Sequence, residues 1–118
     1  MTSEMNSKSL RTVPADKAFK FYTSVGNYTG MSASSLREFM EKINKVNVKS
    51  LEFHLGRGDF EKWTSEILED QALSVEIRKL QKTGLTGERL RSQLYLAVSR
   101  RFRYLTNPTA AVFSNKSL

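Results

Sequence analysis

A chain of 118 residues fits one compact domain with a single modest core and leaves no room for two full domains. Apolar residues make up 39%, with seven Phe, four Tyr and one Trp, which excludes global disorder, and no stretch nears the ~20 apolar residues that cross a bilayer. Zero cysteines exclude disulfides and thiol chemistry, one histidine leaves zinc short of its usual ligands, and a net charge of +7 points toward a polyanionic partner.

In chain order, residues 1–17, MTSEMNSKSLRTVPADK, are polar and aperiodic and read as a flexible N-terminal arm without the apolar core of a secretory signal. A cytoplasmic location is expected from this and from the lack of cysteine. In AFKFYTSVGNYTG, Phe19 and Phe21 alternate with Lys20 and Tyr22 at the period of a short half-buried strand, which Gly26-Asn27 and Gly30 then break. An extended aromatic segment lying across helices without a strand partner fits the same pattern.

Ser35 and Glu38 form a capping box, in which Ser35 accepts from the Glu38 amide and the Glu38 carboxylate accepts from the Ser35 amide. The box predicts a helix from Leu36 to about Asn44 that buries Leu36, Phe39, Met40 and Ile43. VNVKSLEFHL reads as a second, short helix through Val48, Leu51, Phe53 and Leu55, its valines leaving a strand open, and it stops at Gly56-Arg57-Gly58. Asp59 is suited to cap the next helix, Glu61 falls in its first turn, and Phe60, Trp63, Ile67 and Leu68 make its buried stripe.

Leu73, Ile77 and Leu80 mark a further helix ended by Lys82-Thr83-Gly84. Thr86 then caps the longest helix, about Gly87 to Leu105, with Leu90, Leu94, Ala97, Val98, Phe102 and Leu105 turned inward. The expected fold is mainly α: a single small helical domain over residues 18–105, of about five helices, with a short aromatic extended or strand segment near its N-terminus. Residues 106–118 read as a C-terminal tail.

The stretch SLEFHLGRGDFEKW, Ser50 to Trp63, holds the only histidine and the only tryptophan. In a catalytic role His54 is a general base near neutral pH, partnered by Glu52, Arg57 or Asp59. Glu52 and His54 lie two apart and so on different faces of a helix, whereas Asp59 can meet His54 across the turn. In a structural role, which the pattern favours, the glycines permit a tight reversal, Asp59 caps, the aromatic residues fill the corner, and His54 and Arg57 bond to carbonyls or carboxylates within it. His54, Arg57, Asp59 and Trp63 are therefore assigned to a structural motif, and no catalytic or metal-binding residue is assigned.

Tyr22 to Trp63 also resembles a small archaeal family known only as a domain of unknown function. The resemblance rests on an aromatic Tyr-Thr-Gly segment, the Ser35-Leu36 to Phe39 stretch and the His-x-x-Arg-Gly-Asp-Phe-Glu-x-Trp run at His54 to Trp63, and extends over roughly residues 18–105. It implies an archaeal source and a helical domain, and it brings no activity. The arginine-rich final helix departs from that pattern.

Charge is distributed unevenly. Ten Lys/Arg balance ten Asp/Glu from Met1 to Leu73, whereas the last 45 residues hold nine Lys/Arg against Glu76 and Glu88. At about 100° per residue, Arg89, Arg100 and Arg103 fall within a sector of about 60° opposite the apolar stripe. They form a basic ridge that Arg78, Lys79 and Lys82 of the preceding helix extend, with Tyr95 and Tyr104 as stacking faces. Arg101 points instead toward the apolar stripe and an acid such as Glu66.

No phosphate loop, dinucleotide fingerprint, RNP signature or helix-turn-helix pattern is present. The expected function is that of a non-enzymatic basic protein that binds nucleic acid or a ribonucleoprotein, RNA favoured, without cofactor or membrane. The alternative is a protein-protein adaptor anchored by Phe19 to Tyr28 or by the tail around Val112-Phe113. An enzyme using His54 is the remote alternative.

Overall fold

The computed structural model describes residues 8–107. Residues 8–10 are helical, and a 3-10 turn, Ala15–Lys17, then leads into a two-stranded antiparallel hairpin, β1 (Phe19–Tyr22) and β2 (Tyr28–Ala33). Five α-helices follow: α1 (Leu36–Ile43), α2 (Val48–Arg57), α3 (Asp59–Glu66), α4 (Gln71–Gln81) and α5 (Gly87–Thr106). No helix among the described residues is long and apolar enough to cross a membrane.

The aromatic segment is a true strand. Phe19 pairs with Ala33 and Lys20 with Ser32, but Tyr22 pairs with Tyr28, so β2 carries extra residues opposite Phe21. Gly30 sits in this bulge with φ 87°, and the Thr29 hydroxyl fills the interrupted ladder by donating to the Phe21 carbonyl at 2.7 Å and accepting from the Met31 amide at 3.1 Å. Gly30 thus bends a strand rather than ending one. Gly26, with φ 78°, makes the reversal at the hairpin tip.

Residues 8–17, expected as part of a flexible arm, make contacts with the rest of the domain. Val13 is buried and its amide donates to the Ser34 carbonyl at 2.7 Å. The Arg11 guanidinium donates to the Ile67 carbonyl just beyond α3, and the Trp63 indole donates to the Lys17 carbonyl at 2.8 Å. A polar segment with little apolar periodicity is held here mainly by hydrogen bonds to main-chain carbonyls, a signal that periodicity does not carry. Residues 1–7, the rest of that arm, and residues 108–118, most of the tail with Val112 and Phe113, lie outside the described residues.

One core joins all elements. Phe19 and Phe21 project from β1 onto Phe39 of α1, His54 of α2, and Phe60 and Trp63 of α3, with Phe19 and Phe60 ring centroids 5.0 Å apart and Phe39 and Trp63 5.4 Å apart. Each such ring contributes about 1.5–3 kcal/mol by leaving water. Leu90, Leu94, Val98 and Leu105 of α5 close the other side against α1, α2 and α4. Phe53, expected inward, is half-buried with the Arg57 guanidinium over its ring at 4.8 Å.

Helix ends follow local chemistry with several departures. The Ser35 hydroxyl accepts from the Glu38 amide at 3.2 Å, but the Glu38 carboxylate returns to the Ser34 amide at 2.8 Å rather than to Ser35. Gly56 lies inside α2, and Gly58 alone, in the left-handed region with φ 78°, turns the chain. Thr86 stands at the start of α5 without a side-chain bond to its amides; Glu52 of α2 accepts from the Gly87 amide at 2.7 Å instead.

Candidate functional site

Among the described residues, the surface carries a cleft beside the hairpin and a groove along α5. The cleft, of about 560 Å³, is lined by Phe19, Tyr22, Val25, Phe53, His54, Arg57, Asp59 and Trp63 among others. His54 reaches it from α2 yet is only 4% exposed. Its Nε2 accepts from the Tyr22 amide at 2.8 Å, so that nitrogen carries no proton, and Nδ1–H donates to the Asp59 carboxylate at 2.8 Å. Burial holds its pKa below the ordinary histidine value, although the Asp59 carboxylate acts in the opposite direction.

His54 and Asp59 thus meet across the turn, and Arg57 completes the set with its Nε 3.3 Å from the same Asp59 oxygen. Asp59 does not cap α3. It is the first residue of that helix, and its carboxylate bonds back to α2, leaving Gly58 as the capping residue without a side chain. Trp63 packs behind them with its indole committed to Lys17. Taking a proton at Nε2 requires His54 to lose the Tyr22 amide, so the arrangement fastens β1, α2 and α3 together and leaves no free ring nitrogen for a substrate.

The second feature is the outer face of α5. Arg89, Arg100 and Arg103 are all exposed on it, and none has an ion-pair partner among the described residues. Between α4 and α5 runs a groove of about 530 Å³ lined by Leu80, Leu96, Arg100, Tyr104 and Lys79, among others. A shallower hollow near the start of α5 includes Arg89 and Ser92, and Gln93 lines both.

The other basic residues are placed differently. Arg78 turns away from the ridge to Glu61 of α3 at 2.6 Å, because the side of α4 that carries it packs on α3. Lys79 stays at the groove, 3.2 Å from Glu76, and Lys82 is exposed at the C-terminal end of α4. Arg101 does reach an acid, but this is Asp70 at 2.9 Å and not Glu66. Asp70 was missed as a partner; its position just before a helix was the available signal, since it also accepts from the Leu73 amide at 3.2 Å. Arg91 was missed too, and it donates to the carbonyl of Ile43, the last residue of α1, and to that of Val46 just beyond it.

A family model described as "Family of unknown function (DUF5752)" matches residues 1–99. The chain belongs to the DUF5752 family. No curated protein and no solved structure matches it. The match spans the hairpin, the His54 corner, α4 and most of α5 in this DUF5752 domain, and it takes in the N-terminal segment that packs against Ser34 and Ile67. Among its described residues, no group of three or more His, Asp or Glu is gathered to hold a metal ion.

Proposed function

We propose that this domain is a non-enzymatic polyanion-binding protein that associates with nucleic acid or a ribonucleoprotein, RNA in preference to DNA, through the outer face of α5. What carries this is the alignment of Arg89, Arg100 and Arg103 on one exposed side of a helix, with no acid bound to them among the described residues. Guanidinium groups donate to phosphate oxygens in bidentate geometry, and each phosphate neutralised releases counterions, so a row of three supplies affinity without reading sequence. Tyr104, 45% exposed beside the ridge, supports a nucleic acid with unpaired bases, such as the loops and ends of RNA, because such bases pack on aromatic rings. A cytoplasmic setting, supported by the lack of cysteine, and the archaeal source implied by the resemblance belong to the same proposal.

Fluorescence anisotropy with a labelled RNA of about 20 nucleotides tests it. At low salt the wild-type protein binds, and Arg89→Glu/Arg100→Glu/Arg103→Glu lowers affinity by well over tenfold with an unchanged melting temperature, as expected when about three phosphate contacts become repulsive. Undiminished binding by that variant would overturn the proposal.

The adaptor reading draws on a different observation. Phe19 and Phe21 of the aromatic segment are buried and cannot anchor a partner, but Val25 at the hairpin tip is 83% exposed at the edge of the first cleft. An adaptor retains its partner after nuclease treatment and at salt concentrations that abolish phosphate contacts.

A further inference from the structure

We infer that the polyanion is a single strand, one base of which stacks on Tyr104 in the groove between α4 and α5. This rests on the phosphate-binding role proposed for α5 and names the form of nucleic acid that it takes. Tyr104 is fixed before any ligand arrives. Asp70, 2% exposed, holds Arg101 at 2.9 Å, and the Arg101 guanidinium carbon lies 5.4 Å from the centre of the Tyr104 ring. One face of the ring is thereby occupied, Tyr104 stays 45% exposed, and Arg101 and Tyr104 both line the groove.

The groove suits a base better than an apolar peptide. Leu80 and Leu96, the latter 38% exposed, contribute apolar surface to the groove, and Arg100 and Lys79 are among its lining residues. Glu76 also lines it, and its carboxylate is matched by Lys79 at 3.2 Å. Gln93 continues the groove into the hollow that includes Arg89, so the track follows α5 from Arg89 to Tyr104, about 22 Å at 1.5 Å per residue. Paired bases are covered on both faces by their stack and cannot meet the ring; unpaired bases can, whatever their sequence.

Binding of a fluorescein-labelled single-stranded RNA and of a duplex with the same number of phosphates separates the possibilities. The single strand is expected to bind roughly tenfold more tightly. Tyr104→Ala is expected to lower single-strand affinity by roughly five- to a hundredfold while leaving duplex affinity and the salt dependence unchanged, and Tyr104→Phe to keep the wild-type value. Equal affinity for duplex and single strand, or full single-strand affinity in Tyr104→Ala, overturns the stacking site while phosphate binding by α5 stands. Absence of binding to either probe overturns both.

Discussion

His54 accepts from the Tyr22 amide and donates to Asp59, so one side chain joins the hairpin to the corner between α2 and α3. Burial disfavours the imidazolium and holds the His54 pKa in the fold below that of the unfolded chain, and an imidazolium also cannot accept from the Tyr22 amide. Just below the unfolded value of about 6.5 the unfolded state binds the more protons, so this contribution is complete above that pH and declines as pH falls toward the folded value. Thermal melts are therefore expected to show Tm dropping from pH 7.5 to pH 5.5, with a shallower drop in His54→Gln; parallel curves would contradict the assignment. His54→Ala should also destabilise by about 2–4 kcal/mol at pH 7.5, since it opens a cavity among Phe19, Phe53 and Phe60 and orphans a buried amide. That His54 and Asp59 meet across the turn was legible in their spacing. The Tyr22 amide was not, because its partner lies 32 residues away and is brought there by hairpin docking rather than by any local pattern.

At the scale of elements, Gly56 and Gly58 separate what looked like one turn. Gly56 is helical with open space where a Cβ would go, whereas Gly58 holds φ at 78°. Gly56→Ala should raise stability by about 1 kcal/mol and Gly58→Ala lower it by about 1 kcal/mol, both read from urea denaturation; equal effects of the two would contradict the assigned boundary. Helix positions were legible because apolar spacing and the Ser35-Glu38 box are local signals. The partners of the helix ends were less so: Glu52 reaches the start of α5 from α2, Asp59 is drawn from capping into the His54 corner, and Arg91 of α5 serves carbonyls at and just after the end of α1. Each choice depends on which helices pack together, and tertiary contact outweighs a cap worth about 1 kcal/mol. The paired strand was left open for the same reason, since a partner for β1 depends on the bulge built by Thr29 and Gly30.

For the whole molecule, the count of basic residues overstated the free positive charge carried by the C-terminal helices. From Ser74 onward, Arg78 is tied to Glu61, Arg91 to Glu88 and Arg101 to Asp70, acids that a net-charge count cannot pair with them. Lys82, Arg89, Arg100 and Arg103 remain exposed without an ion pair among the described residues, three of them along one side of α5. Three or four such groups bound to the phosphates of a single strand fix the electrolyte dependence, because each contact contributes about −0.7 to the slope of log K against log salt. The most direct measurement is therefore a titration of single-stranded RNA with the wild-type protein at several salt concentrations. A slope of about −2 to −3 is predicted; a slope near zero, or no binding at the lowest salt, would contradict the account.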